Sequence, residues 1–196
     1  VLATGAGAQA LLPIPVTPCK GQMLSVSVDG PDDGNRALPL ECVLFGDESY
    51  IVPRQNGQIV IGATSEAVGF APHNTASGIH ALLSRATRLF PRLGQMPISE
   101  LWWGFRPATP DEGPILGESS YRNLTLATGH YRNGVLLAPI TALLIADWLT
   151  DRTTNSLLKA FHWSRFAAGD SRPYPNCAEI DPAHPLLKNR LRDARS

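Results

Sequence analysis

Two arginines stand out by the company they keep. Arg106 follows Leu101-Trp102-Trp103-Gly104-Phe105 and precedes Pro107. Arg132 stands between Gly129 and Gly134 in the stretch GHYRNGVLLAP, directly before an almost wholly apolar run. A guanidinium beside aromatic rings has two uses. It packs its stem at the edge of a core, or, partly desolvated, it grips a carboxylate through two parallel hydrogen bonds. For Arg132 the plain alternative is a surface side chain on a loop. Glycines on either side, however, let backbone approach a ligand. A helix starting there offers unpaired N–H groups and the positive end of its dipole, suited to an anion or to a ring that gains charge on reduction. His130 in the same turn serves as well for a satisfied structural histidine as for a functional one.

Tyr50 lies in DESYIVPR. On an alternating strand it shares a face with Val52, while Ile51 points the other way. Half-buried sheet packing is one role for it, and a hydroxyl lining a pocket is the sharper one. Glu48 shares that face and would add polarity, and Arg54 ends the strand toward solvent. The three cysteines, Cys19, Cys42 and Cys177, are widely spaced with no Cys-x-x-Cys and no histidine pattern, so reduced thiols of a cytoplasmic protein are expected rather than zinc. GAGAQA, from Gly5, has the letters of a dinucleotide-binding fingerprint. The fingerprint needs a long helix next, and Pro13, Pro15 and Pro18 leave no room for one. A tight glycine turn, passing near a ligand at most, is the reading that remains.

These residues need elements to hold them. A strand is expected from about Gly21 to Val28, then a turn cluster from Asp29 to Asn35. CVLFG, SYIVPR and GQIVIGAT follow as strands, the last two joined by RQNGQ, whose Asn-Gly is a hairpin signal. Ile79, Leu82, Leu83, Ala86, Leu89 and Phe90 keep helical spacing, so Thr75 to Phe90 reads as an amphipathic helix capped by Thr75 or Ser77 and stopped by Pro91. ISELWWGFRPATP and NLTLATGH read as strands, and Val135 to Thr150 as an apolar helix with Pro139 in its first turn. VLATGAG and LTLATGH are alike: both are apolar strands reading L-A-T-G before a tight turn, and they fit one nucleotide-binding layer.

The chain has 196 residues, 43% of them hydrophobic, with 17 Lys+Arg against 17 Asp+Glu. That is a globular composition without the basic excess of a nucleic-acid binder. The longest apolar run is shorter than the roughly 20 residues of a bilayer-crossing helix and carries Asp147, so no membrane partner is expected. The first residue is Val1, inside what reads as a core strand, which suggests a missing N-terminal portion.

GFRPATPDEGPILG followed by LTLATGHYRNGVLLAPITALLIADWL strongly resembles the C-terminal half of the FAD-dependent D-amino acid oxidase family, and most of all its glycine oxidase branch in the thiamine pathway. PVTPCKGQML and ESYIVPRQNGQIVIGAT agree in order and spacing, and LLKAFHWSRF resembles the family's usual ending. The resemblance covers about residues 1–166. It implies an α/β (α+β) chain. Residues 1–15 and 111–166 would form part of a Rossmann-like FAD-binding domain, 16–110 an inserted mixed or antiparallel-sheet substrate domain, and 167–196 a polar tail. The family's own G-x-G-x-x-G with its acidic ribose-binding residue is absent.

Carried over, Arg106 resembles the substrate-carboxylate arginine, Arg132 a second arginine near substrate and flavin, and Tyr50 the pocket tyrosine. His130, Tyr131, Arg132, Asn133, Gly134, Val135 and Leu136 would lie along the flavin, largely through backbone. Glu48 stands where the glycine oxidase branch has a histidine, and Ser65 where it has a methionine. The implied reaction is oxidative deamination of glycine or a similarly small amino acid with O2, giving imine or oxo acid, ammonia and peroxide. No strong protein base at the Cα is needed. The implied partners are the missing N-terminal half or a thiazole synthase, in a homo-oligomer. A sarcosine or D-amino acid oxidase, or an inactive remnant, are the competing expectations.

Overall fold

β-Branched residues at alternate positions build the first layer. In the computed structural model, which describes residues 1–28, 39–46 and 48–169, strand β1 runs Thr17–Ser27, β2 Leu44–Phe45, β3 Tyr50–Pro53, β4 Gln58–Gly62 and β5 Ile98–Ala108. They form one sheet in the order β2-β3-β4-β1-β5. The expected turn cluster Asp29–Asn35, Cys177 and nearly all of the expected tail lie outside the described residues. The chain divides into two compact units, one of Cys19–Phe105 and one of Val1–Pro18 with the chain from Arg106 onward.

In the unit of Cys19–Phe105, antiparallel register aligns Leu44 with Ile51, Ile51 with Ile61, and Ile61 with Leu24. This apolar row lies under helix α1, Ala76–Leu89, whose Leu82 and Ala86 complete the core with Val26, Ile59 and Leu93. Neighbouring positions face the other way: Phe45 pairs with Tyr50, and Tyr50 with Gly62. The β3–β4 turn refines the hairpin expectation. Asn56 keeps a negative φ and only Gly57 is left-handed, at φ 82°. Arg54 and Gln58 close the loop through Arg54 N–H to the Gln58 carbonyl, 2.8 Å. Three loop residues ending in a left-handed glycine replace the two-residue Asn-Gly turn.

Thr75 is the cap of α1, accepting from the Gly78 N–H at 3.1 Å. It also anchors a buried polar cluster. Gln22, fully buried on β1, donates to Glu66 (2.7 Å) and to Thr75 (3.0 Å), and accepts from the Thr75 N–H (2.7 Å) and Asn74 (3.4 Å). Lys20, only 1% exposed, faces Glu66 at 3.7 Å. Burial pushes the Glu66 carboxyl up, but hydrogen bonds from Thr64 and Gln22 and the Lys20 charge outweigh it and leave it below the usual carboxylate range.

In the other unit, β6 (Ile115–Glu118) pairs antiparallel with β7 (Thr125–Thr128). Leu2 pairs with Leu126 as a parallel bridge, held by Leu2 N–H to the Thr125 carbonyl (2.7 Å) and Ala127 N–H to the Leu2 carbonyl (3.0 Å). The two L-A-T-G stretches therefore lie side by side in one layer. VLATGAG contributes only that bridge before a 3-10 turn, Gly5–Ala10, rather than a strand. The sheet has two lined faces. Ile115 and Leu126 pack with Ala8, Ile14 and Val16 on one side. Leu116 packs with Leu144, Ile145 and Leu158 on the other. Those last residues come from helix α2, Gly134–Asp151, and helix α3, Ser156–Ala160.

Pro139 departs from expectation. Because α2 starts at Gly134, Pro139 is its sixth residue, in the second turn. The ring removes the bond that the Val135 carbonyl would otherwise accept within the helix. By length and composition α2 is also apolar enough to cross a bilayer, with a mean hydropathy of 1.5 over 18 residues. The same properties suit a helix that packs inside a domain, and Leu144 and Ile145 pack that way on β6.

Gly78 tests the polar cluster. A methyl group there would lie 2.3 Å from the Gln22 amide nitrogen. Alanine gains about 1 kcal/mol of helix propensity, but displacing the Gln22 amide strains four hydrogen bonds worth about 1 kcal/mol each. Gly78→Ala is expected to destabilise by roughly 1–3 kcal/mol in urea unfolding. Gly94→Ala, whose methyl would sit at an ordinary 3.6 Å from Thr87, is expected to stay within about 0.5 kcal/mol.

Candidate functional site

The turn between β7 and α2 owes its path to Gly129. Its φ is 76°, and a Cβ would stand 2.7 Å from the Thr109 methyl and 3.3 Å from the Ile115 nitrogen. Both the conformation and the space exclude a side chain. Gly134 differs: a Cβ there would meet only His130 Cβ, at 3.5 Å. Among the described residues, nothing requires a glycine at that position.

Tyr131 follows in the left-handed region at φ 48° and donates its N–H to the Pro107 carbonyl at 3.0 Å. This bond ties the turn to the residue next to Arg106, which stands half-buried near the end of β5. Arg132 is exposed, its guanidinium 5.2 Å from the Tyr131 ring centroid. The structure thus brings the Arg106 strand end and the Arg132 turn together within one unit. Tyr50 belongs to the other unit.

Helix α2 opens without a capping side chain and without an acidic residue in its first turn. Asn133, at the cap position, takes the Leu137 N–H on its carbonyl (2.9 Å), leaving the Gly134, Val135 and Leu136 N–H groups as first-turn donors. Val135 is 95% exposed and Leu136 79%. Bare donors, a positive dipole end, a neighbouring guanidinium and two uncovered apolar side chains make a surface that fits one polar edge of a planar, partly anionic ring system. The Gly134, Val135 and Leu136 amides could hold such a ring, and His130 contributes by fixing the turn. Its Nε2 lies 3.0 Å from Thr141 Oγ1, which ties the turn to α2.

Tyr50 stacks on Phe45, 6.1 Å between centroids at 16°, and its hydroxyl reaches Met23 Sδ at 3.9 Å. The ring lies flat over Gly62, where a Cβ would come within 2.5 Å of it. The face is the one opposite α1, as alternation requires. Glu48 corrects an expectation: its carboxylate pairs with Arg85 of α1 at 2.5 Å and adds no polarity beside Tyr50. Ser65 bonds Cys19 Sγ at 3.2 Å. GAGAQA winds into six 3-10 residues with Ala6 and Ala8 buried, and no long helix follows, so it is not the dinucleotide fingerprint.

One group escaped the sequence reading. Asp111 and Arg165 form a bidentate pair at 2.8 and 3.1 Å across 54 positions. The Arg165 hydrogen bonds, followed by the Gly113 N–H and the Thr109 hydroxyl, hold the Asp111 carboxyl down to about 2 against its burial. The signal was present in T-P-D and in the arginine of the final F-H-W-S-R-F, but no local periodicity joins them.

The model of the FAD dependent oxidoreductase family matches residues 1–148. The chain belongs to that family. It is 63% identical over 166 residues to the bifunctional protein ThiO/ThiG of Trichormus variabilis, covering 85% of this chain and 25% of that protein. The glycine oxidase of Bacillus subtilis is 35% identical over 150 residues, covering 76% of this chain and 39% of its own length. The crystal structure of glycine oxidase from Geobacillus kaustophilus superposes with a TM-score of 0.70 at 37% identity, over 83% of this chain and 44% of that one. The chain thus spans a quarter to less than half of these relatives. Its mixed α/β architecture with antiparallel sheets is that of the family's oxidases.

His130 carries a pH signature. Burial holds its imidazole below the ordinary histidine pKa of 6.5. The folded state takes up the proton less readily than the unfolded chain, which is protonated below about pH 6.5, so stability is full above that pH and is lost as pH falls. The melting temperature is expected to drop between pH 7.5 and 5.5, and His130→Gln is expected to flatten that slope in a thermal scan. An unchanged slope would show that His130 titrates normally.

Proposed function

We propose that this chain forms the substrate-facing part of an FAD-dependent oxidase of glycine or a similarly small amino acid, yielding imine or oxo acid, ammonia and hydrogen peroxide. The observation that carries this is the Tyr131–Pro107 bond, which sets the Arg106 strand end against the Arg132 turn at the head of α2. Arg106 is a fixed cation at the end of a strand, with aromatic residues before it and a proline after it. Its planar fork matches a carboxylate, and a carboxylate held on two hydrogen bonds leaves the substrate one orientation.

The Gly134, Val135 and Leu136 N–H groups and Arg132 would hold the flavin's polar edge, with Val135 and Leu136 supplying apolar cover. When bound, FAD supplies the acceptor for the hydride that leaves the substrate Cα. With acceptor and carboxylate both positioned, the amine need only be neutral, and no residue has to act as a base at carbon. The names of the relatives support the same reading, since one is a glycine oxidase and another a bifunctional ThiO/ThiG protein. On that reading the imine is handed to a thiazole-forming partner rather than released only to hydrolysis.

Arg106→Ala is expected to raise the glycine KM by the equivalent of roughly 2–5 kcal/mol, as for one partner removed from a desolvated charge pair. A peroxidase-coupled assay of peroxide release from glycine with FAD present reads it. Wild-type saturation by glycine in that variant would remove Arg106 from the site.

A further inference from the structure

Arg165 uses every N–H it has. Nε donates to Asp111 Oδ2 (2.8 Å), and Nη2 to Asp111 Oδ1 (3.1 Å) and the Gly113 carbonyl (3.0 Å). Nη1 donates to the Phe161 carbonyl (2.8 Å) and the His162 carbonyl (3.2 Å). The flat of the guanidinium lies 4.1 Å from the Phe166 ring centroid. A side chain with five donors filled and a face stacked has one geometry open to it.

What it grips is the turn Thr109–Gly113. Asp111 Oδ1 also accepts from the Gly113 N–H (3.1 Å) and faces the Thr109 hydroxyl (3.2 Å), which reaches the Gly113 carbonyl at 2.7 Å. Within the turn Glu112 sits in the left-handed region at φ 57°, a conformation a glutamate keeps only when its surroundings impose it. The turn starts three residues after Arg106, and its Thr109 methyl is the wall beneath Gly129. The Pro107 carbonyl that receives Tyr131 lies between them.

We propose that Arg165 and Asp111 are positioning residues for the candidate site: their pair fixes the Thr109–Gly113 turn, and that turn sets the placement of Arg106 and of the Gly129–Gly134 loop. The proposal rests on the carboxylate-binding role given above to Arg106. Neither residue touches the substrate. The low Asp111 pKa agrees, since the pair stays ionised throughout the range in which such an enzyme works.

The test compares wild type, Arg106→Ala, Asp111→Asn and Arg165→Lys as FAD-loaded proteins. The readouts are glycine KM, kcat, and the inhibition constant of acetate as a carboxylate-only probe. Asp111→Asn and Arg165→Lys are expected to raise glycine KM and acetate Ki together by tenfold or more, with FAD content at the wild-type level. A purely structural role would lower the melting temperature and leave both constants within twofold of wild type, and that result overturns the proposal. Should Asp111→Asn fail to fold, Thr109→Val keeps the pair but breaks the hydroxyl's link to the turn, and the same rise in both constants is expected of it. If Arg106→Ala leaves acetate Ki unchanged, the functional reading itself fails. If Arg106→Ala loses acetate while the pair variants do not, the positioning role alone fails.

Discussion

The hydrogen bond from the Tyr131 N–H to the Pro107 carbonyl is the joint on which the candidate site depends. It connects two stretches that are distant in sequence, the end of β5 and the entry to α2. It forms because Gly129 turns left-handed and so delivers Tyr131 to the proline carbonyl. Proline in turn locks its own φ and holds Arg106 to extended backbone, so the chain beside the guanidinium has few conformations open to it. One backbone bond therefore sets a half-buried guanidinium and a helix N-terminus in a common frame. Affinity for a carboxylate and affinity for an electron-rich ring would then change together whenever this joint is disturbed.

The unit of Cys19–Phe105 solves a different problem. Strand β1, between β4 and β5, carries a buried lysine and a buried glutamine where a sheet would ordinarily place apolar residues. Such groups cost free energy unless each polar atom finds a partner. Here Gln22 finds the cap of α1 and Lys20 finds Glu66, so the sheet and helix are registered by hydrogen bonds as well as by the Leu24–Ile61–Ile51 row. An apolar stripe alone tolerates sliding of the helix along the sheet, whereas a glutamine bonded to the Thr75 cap does not.

Much of this was legible in the residues and some was not, for physical reasons. Helix α1 announced itself because one face is apolar at helical spacing and a threonine precedes it. The inward Ile51 and outward Tyr50 followed from simple alternation. Strand β6 was missed because its four residues, Ile115 to Glu118, have both faces covered and so carry no alternation to read. Pro139 was misplaced because α2 is apolar all round, so its start had to be guessed from the glycine rather than from a stripe. Glu48 was assigned by its strand face, yet a long side chain at a strand's edge can turn to meet a helix charge, and Arg85 was there to receive it. Asp111 and Arg165 escaped for the reason most tertiary pairs do: 54 residues separate them and neither stands in a periodic pattern.

Pro139 has a kinetic consequence. The helix bond that the Val135 carbonyl would accept from residue 139 does not exist, so the first turn of α2 is joined to the body of the helix by a shortened ladder. A segment with fewer restraining bonds opens at a lower free energy than the cylinder behind it. The first-turn donors are thus carried on a short piece of backbone that can shift by fractions of an ångström without dragging the whole helix. Its amides would exchange with solvent well before those around Leu144 and Ile145. Ligand binding would slow that exchange, so the head of α2 is where occupancy would be written into local backbone dynamics.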